Sequence, residues 1–386
     1  MSPGPTEEEA RSPEPRSPGH HIELVDAQPT PPRHEGEASP GLRDSKGWDG
    51  KLRVPKSTTL ANPEALSDPE YSDEDNVVPG EEIAADEDLL DGEDPDTEEI
   101  ISTHSRIRSI PALRLDRFTK VTRICLRQNL IQEIEGLSPL APTLKELDLY
   151  DNLISHIRGL DDLVNLTCLD LSFNKIKHIK HISHLTNLEE LYLIANKLSK
   201  IENLSGLTKL RMLELGSNRI RQIENLETLT SLEELYVAKN KITAIANLAP
   251  LTNLRLLSIQ ANRIRDLSPL REAPQLEELY ISHNALESLQ GIEHNTRLRV
   301  IDVSNNKITS IQGLGPLKDL EEFWASYNQI SDFAEVEREL KDKEKLSTVY
   351  FEGNPLQTRA PALYRNKVRL ALPQVRQIDA TFVRPS

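Results

Sequence analysis

An asparagine returns every 22 residues through most of this chain. Asn129, Asn152, Asn174, Asn196, Asn218, Asn240, Asn262, Asn284, Asn306, Asn328 and Asn354 are separated by one step of 23, eight of 22 and a last step of 26. Each sits at the end of the same short phrase: LDLYDN, LDLSFN, LYLIAN, LELGSN and LYVAKN are five of them. One unit shows the pattern, with Asn174, Ile176, Ile179, Ile182, Leu185, Leu188, Leu191 and Leu193. Apolar residues recur every third position, as tight helical turns require, and then every second position, as a strand requires. A single unit cannot bury its own leucines, so the units must stack into one continuous core. The asparagine amide offers a donor and an acceptor to turn backbone that water cannot reach. Eleven strands at about 4.8 Å would form a sheet roughly 50 Å along its stack.

These phrases resemble the leucine-rich repeat family over residues of about 121–354. The resemblance implies an α/β solenoid, with a curved parallel sheet on the concave face and short helical turns on the convex face. An open stack exposes apolar surface and needs caps. Residues 101–120 are expected to close one end and 355–386 the other. The long last step contains SDFAEVERELKDKEKL (331–346), where Ser331 and the spacing of Phe333, Val336 and Leu340 predict a true helix. The segment holding Tyr364, Arg365, Val368, Ile378 and Asp379 looks like the cap of a nuclear subset of these proteins.

Residues 1–100 differ in kind. They hold 27 Asp/Glu against 8 Lys/Arg and 14 of the 25 prolines, whereas the remainder carries 35 against 38. So much charge with so little apolar material predicts disorder. Ser12, Ser17, Thr30 and Ser39 precede prolines, and Ser72 precedes three acidic residues; these are candidate phosphorylation sites. No apolar run approaches the roughly 20 residues of a membrane helix, and the start lacks a signal-peptide pattern. Two cysteines, Cys125 and Cys168, make no disulfide framework and are expected as thiols. A soluble nucleocytoplasmic protein follows as the expectation.

Strand alternation turns the positions between the core leucines outward. Four residues before each asparagine stand Cys125, Asp148, Asp170, Tyr192, Glu214, Tyr236, Ser258, Tyr280, Asp302, Trp324 and Tyr350. Two residues earlier still, Glu146, Glu190, Glu234, Glu278 and Glu322 recur on every second repeat. Aromatics ringed by carboxylates suit a protein interface that selects a basic partner. Directly after the asparagines run Lys175, Lys197, Arg219, Lys241, Arg263 and Lys307. That row has the charge to follow a phosphate backbone, but it lacks interleaved aromatics for base stacking, and nucleic acid is not expected as a partner.

Other candidate sites fail on their own terms. His178, His181 and His184 follow the three-residue period of the return limb, and no HExxH or CxxC accompanies them, so no metal is expected. Gly313-Leu314-Gly315 lacks the rest of a phosphate loop. Cys125 and Cys168 lie two repeats apart, roughly 10 Å and beyond bridging range. No acid–base constellation is complete; neither an enzyme nor a cofactor is expected.

Three segments carry a closer resemblance: residues 196–243, EEFWASYNQI (321–330) and RNKVRLALPQVRQIDATFVRP (365–385). They resemble the leucine-rich regulatory subunits of protein phosphatase 1, the mitotic-exit regulators built of 22-residue repeats. The resemblance implies a non-catalytic subunit that holds the phosphatase catalytic subunit on its concave face, in nucleus and cytoplasm, with a third inhibitory subunit as a further partner and a monomer outside the complex. Carried over residue by residue, the contacts are Asp170, Tyr192, Glu214, Tyr236, Asp302, Glu322, Trp324 and Tyr350. Some family members have Phe at the Tyr192 and Tyr236 positions, so this chain adds two hydroxyls. The usual docking motif for this phosphatase is absent, since Lys367-Val368-Arg369-Leu370 ends in Leu. The cap alone is shared with a spliceosomal leucine-rich protein, which makes an adaptor in a ribonucleoprotein the alternative.

Overall fold

The computed structural model describes residues 89–383, so the first 88 residues, with Ser12, Ser17, Thr30, Ser39 and Ser72, and the last three lie outside the described residues. Fourteen strands form one sheet in chain order. The eleven repeat strands are β2 (Arg123–Cys125), β3 (Glu146–Asp148), β4 (Cys168–Asp170), β5 (Glu190–Tyr192), β6 (Met212–Glu214), β7 (Glu234–Tyr236), β8 (Leu256–Ser258), β9 (Glu278–Tyr280), β10 (Val300–Asp302), β11 (Glu322–Trp324) and β12 (Thr348–Tyr350). All pair in parallel, each residue opposite its counterpart one repeat away, as Tyr192 is opposite Glu214 and Glu214 opposite Tyr236. The chain therefore folds as the leucine-rich repeat solenoid its periodicity requires. Ile176, Ile179, Ile182, Leu185, Leu188, Leu191 and Leu193, the apolar set of one unit, are all fully buried, and the same column elsewhere is buried too, with Asn295 standing in for a leucine in one repeat.

The asparagines do more than close their own turns. The Nδ2 of Asn218 donates to its own Leu215 and Gly216 carbonyls at 3.0 and 3.1 Å, and also to Leu193 of the preceding repeat at 2.9 Å. Its Oδ1 accepts the Leu198 N–H of that preceding repeat at 2.9 Å. Leu215 O in turn receives Asn240 as well as Asn218, so one carbonyl uses both lone pairs on successive asparagines. The ladder runs from Asn129 to Asn354. The residue just before each asparagine is left-handed, including Ala195 (φ 52°) and Tyr327 (φ 53°), and only the last such place, Gly353, is a glycine. A second left-handed column crosses the return limbs at Asn203, Asn225 and Asn247, whose amides donate to Ile179, Ile201 and Ile223 carbonyls one repeat back.

The return limbs are turns for the most part. Short 3-10 helices occupy Pro111–Leu113, Ser138–Leu140 and Ser268–Glu272, each with a proline in its first two positions, where a missing N–H costs nothing.

Both ends depart from the boundaries drawn from composition. A strand β1 (Glu99–Ile101) pairs in parallel with β2, and Leu90 and Ile100 are buried, so the folded part starts ahead of residue 101. Its charged surroundings hid a buried pair of aliphatics. At the other end α1 (Phe333–Leu340) is shorter than the predicted 331–346, and its cap is Asp332, not Ser331: the Asp332 carboxylate accepts the Ala334 N–H at 2.8 Å. Beyond it lie α2 (Pro355–Thr358), α3 (Pro361–Ala371) and the antiparallel pair β13 (Gln377–Ile378) and β14 (Thr381–Phe382). Asp379 ties this cap to the last repeat, accepting the Phe351 N–H at 2.8 Å and the Tyr364 hydroxyl at 2.9 Å. The two-residue β14 leaves little free edge for another chain to pair with.

Just past the helix, Lys343 turns inward. It is fully buried, and its ammonium donates to the Leu314 and Leu317 carbonyls at 2.6 and 2.9 Å, with Gly315 at 3.4 Å. The Gly313–Gly315 turn thus presents carbonyls to a cation, the reverse of a phosphate cradle. Burial pulls this lysine down to about 8, so it stays charged at neutral pH. Lys343→Met should cost about 3 kcal/mol of stability, because buried carbonyls lose their donor. Lys345→Met, which removes only an exposed pair with Asp319, should leave stability close to that of the parent chain. Urea denaturation of the two variants checks this.

Candidate partner-binding face

The outward face of the sheet carries the residues singled out by alternation, and the structure gives them a repeating local chemistry. Tyr192 donates its hydroxyl to Glu190 at 2.9 Å, Tyr236 to Glu234 at 2.8 Å, Tyr280 to Glu278 at 2.8 Å, and Trp324 its indole N–H to Glu322 at 2.9 Å. Each pair lies on a single strand, two residues apart, on one face. The hydroxyls that distinguish Tyr192 and Tyr236 from Phe are therefore spent on the chain's own carboxylates. Burial, with those glutamates second, pushes both phenols above their ordinary range. The unit repeats every second strand because the sequence phrase EELY stands at 189–192, 233–236 and 277–280, and EEFW at 321–324.

Acidic residues fill the strands between. Glu214 on β6 lies between Tyr192 and Tyr236 in register, and its carboxylate accepts the Gly216 N–H at 2.8 Å. A Cβ at 216 would fall 2.8 Å from its Oε1, so a side chain there would displace the flexible end of Glu214. Burial drives this carboxyl up to about 7, opposed only by the Gly216 hydrogen bond. Asp170 on β4 accepts the Ser172 N–H at 2.8 Å, and burial raises it too. Asp302 on β10 accepts the Ser304 N–H at 2.9 Å and lies between Tyr280 and Trp324.

Aromatics meet at the C-terminal half. The Trp324 ring is 6.2 Å from Tyr280 and 5.8 Å from Tyr350, edge-on to the latter. Tyr350 accepts a hydrogen bond from Gln377 of β13 at 2.7 Å, so the cap holds the end of the face. The eight residues carried over from the family thus form no pocket. Asp170, Tyr192, Glu214 and Tyr236 occupy four consecutive strands, Asp302, Glu322, Trp324 and Tyr350 three more, and from β4 to β12 the row extends roughly 40 Å. Tyr280 belongs with them by geometry although the resemblance did not single it out; its EELY phrase was the available signal. At the other end Arg127 lies 4.2 Å over the Tyr150 ring, 3.3 Å from Asp148 and 3.8 Å from Asp170, a cation–π and ion-pair cluster that the repeat pattern does not announce.

Residues set aside earlier also have places. His178 bonds Glu202 and His184 the Leu160 carbonyl, each at 3.0 Å, while His181 is left-handed. Cys125 and Cys168 are free; burial, then the surrounding glutamates, lifts the Cys168 thiol to about 12, which leaves it unreactive at neutral pH. Val368 is buried in α3 and Lys367 lies 5.1 Å from the Phe333 ring, so this near-miss of the docking motif is part of the cap.

Comparison with known proteins sharpens the picture. The model for "Leucine Rich repeats (2 copies)" matches residues 186–228, 230–272 and 274–316, and that for "Leucine rich repeat" matches 119–176. The paired matches open at 186, 230 and 274, the same two-repeat spacing as the EELY phrases. Among curated proteins, the chain is 69% identical over 51 residues to protein phosphatase 1 regulatory subunit SDS22 of Schizosaccharomyces pombe, 13% of this chain and 15% of that one. It is 45% identical over 98 residues to the Saccharomyces cerevisiae protein of the same name, 25% and 29% of the two chains. It is 67% identical over 46 residues to human protein phosphatase 1 regulatory subunit 7, 12% of each. The matched stretches therefore span less than a third of these relatives. Among solved structures, an internalin of Listeria monocytogenes aligns over 74% of this chain and 87% of its own, with 27% identity and a TM-score of 0.58. A leucine-rich repeat protein of Leptospira interrogans aligns over 71% and 81%, with 22% identity and a TM-score of 0.52, a likeness of fold alone.

Proposed function

We propose that this chain, a leucine-rich repeat protein that resembles the regulatory subunits of protein phosphatase 1, is itself a non-catalytic regulator that binds the phosphatase catalytic subunit. The partner docks on the outward, concave face of the sheet through Asp170, Tyr192, Glu214, Tyr236, Asp302, Glu322, Trp324 and Tyr350. The observation that carries this reading is the row of aromatic–carboxylate pairs on alternate strands of one face. Such pairs offer ring surface for anchoring and negative charge for selecting a basic surface. A face built on a stacked core loses little entropy on docking, which favours tight binding. A nuclear and cytoplasmic site of action, a role in mitotic progression and a third inhibitory subunit in the assembly belong to the same proposal.

Glu214 gives the reading a pH signature. Its carboxyl titrates near 7 in the free chain. A basic group placed against it binds the ionised form, so association should release a proton and tighten as pH rises from 6 to 8. On the side of folding the sign is opposite: a carboxyl that holds its proton longer folded than unfolded contributes stability below about pH 4.5 that is lost as pH rises through 7. Calorimetric titration of the full chain with the catalytic subunit tests the first point. One-to-one binding that strengthens with pH, and loses that dependence in Glu214→Gln, is the expected result. No binding would overturn the assignment. Binding that weakens with pH would place an apolar surface on Glu214.

A further inference from the structure

The C-terminal cap carries charge of one sign. From Asn354 to Val383 the chain holds five cations, Arg359, Arg365, Lys367, Arg369 and Arg376, against one acid, Asp379. That acid is spent on the Phe351 N–H and the Tyr364 hydroxyl. Arg365 is spent as well, donating to the Ile378, Thr381 and Phe382 carbonyls at 3.1, 3.0 and 2.7 Å. Arg369 and Arg376 are exposed and make no ion pair among the described residues. The same cap leaves apolar surface uncovered. α3 turns Tyr364, Val368 and Ala371 into the core at i, i+4 and i+7. Asn366, Arg369 and Leu370, at i, i+3 and i+4, form its opposite face. Leu370 is 80% exposed and Phe382 on β14 76%, more than any other large apolar side chain among the described residues. Both line one groove of about 960 Å³, whose floor includes the buried Leu372 and Val375 and whose only charged lining residues are Arg369 and Arg376. Apolar side chains left in water around a concavity mark a binding site.

We propose that this groove docks an acidic amphipathic helix of a protein partner. Leu370, Phe382 and the groove floor take its apolar stripe, and Arg369 and Arg376 take the carboxylates beside that stripe. The 11 residues of α3 span about 16 Å, so three turns of an occupant helix match the groove wall. An added strand fits less well, because β14 has two residues and its Thr381 and Phe382 carbonyls already accept Arg365. A flat bilayer fits less well too, because Leu372 and Val375 lie in a concavity that a protruding side chain can enter. The outward strand face is acidic and this groove basic, so the two surfaces suit partners of opposite charge. The inference therefore stands independently of phosphatase binding.

Fluorescence anisotropy of the full chain with a labelled, helix-stapled peptide of about five turns tests it. The peptide carries leucines at i, i+3, i+4 and i+7 and glutamates on its remaining positions. The parent chain should bind it, and Leu370→Ser with Phe382→Ser should weaken binding at least about tenfold. Both side chains face solvent, so that variant keeps its fold. Arg369→Glu with Arg376→Glu should abolish binding of this peptide and confer binding of a copy with lysines in place of the glutamates, a reversal that misfolding cannot produce. No binding by the parent chain, affinity unchanged in both variants, or equal affinity of the parent for the two peptides would overturn the proposal. So would parent dimers that dissociate in Leu370→Ser with Phe382→Ser on sedimentation, which would give the groove to a second copy. Phosphatidylserine vesicles probe the remaining occupant. Binding to vesicles that is lost in both variants, with none to the peptide, would assign the groove to a membrane surface instead.

Discussion

Asn218→Ala is expected to lower the unfolding free energy of the full chain by about 4 kcal/mol. The truncation removes one acceptor and three donor contacts at once. The Leu198 N–H, buried one repeat away, loses the Asn218 Oδ1, and the Leu193, Leu215 and Gly216 carbonyls each lose a donor. Leu193 O keeps Asn196 and Leu215 O keeps Asn240, so those carbonyls are half-satisfied, while the N–H is stranded. A buried donor without a partner costs about 1–3 kcal/mol by itself, and the lost donor contacts supply the rest. Asn218→Asp should do no better, since it keeps the acceptor but sets a carboxylate oxygen against carbonyls. The control is Asn187→Ala, which removes a 2.9 Å bond to the Val164 carbonyl at the surface and should cost under about 1 kcal/mol. Urea denaturation of the three variants decides the matter. Equal losses at Asn218 and Asn187 would mean that the ladder does not hold the stack together.

What could be read from the sequence follows from which interactions are local in sequence. The 22-residue spacing specifies the repeat, the alternation specifies which side chains leave the core, and both act within one unit. Hence the eleven repeat strands, the buried leucines and the position of Tyr192, Glu214 and Trp324 on one face were legible from the residues. Contacts between repeats were not. The asparagine was expected to satisfy its own turn, yet half of its bonds go one repeat back, as from Asn218 to Leu193 and Leu198. The amides of Asn203, Asn225 and Asn247 make similar cross-repeat bonds from a left-handed backbone, a column masked by Gly159 and His181 at the equivalent places. The ends were hardest. Ser331 and Asp332 are both good helix caps, and only the geometry of the Asp332 carboxylate chose between them. Composition placed residues 89–100 with the acidic tail, because two buried aliphatics, Leu90 and Ile100, weigh little against six carboxylates in that stretch. Lys343 is the converse case, a charged residue in a charged run that turns inward to bond three carbonyls 26 to 29 residues away.

The candidate site divides in the same way. The Tyr–Glu and Trp–Glu pairs follow from positions two apart on a strand, so the phrase EELY announces them. Their electrostatics do not follow from the phrase. Glu214 is driven up to about 7 because burial between two neighbouring strands outweighs its one hydrogen bond, from the Gly216 N–H. That environment is assembled from three repeats.

The central claim is that a phosphatase catalytic subunit docks on the outward strand face, and Trp324 and Tyr192 mark its two halves. Trp324 is the more exposed to loss: its ring contacts Tyr280 and Tyr350, and its removal opens the aromatic cluster. Neither side chain belongs to the buried core, so the double variant Trp324→Ala with Tyr192→Ala should keep its fold by circular dichroism. Central aromatic anchors cost about 2 kcal/mol or more each when truncated. Together they predict about a thousandfold loss of affinity. Calorimetric titration of the full chain and of the folded double variant against the catalytic subunit is the most direct measurement. Tight binding by the parent chain, weakened about a thousandfold or beyond detection in the variant, is the predicted result. Equal affinity of the two would contradict the account and place the phosphatase on another surface.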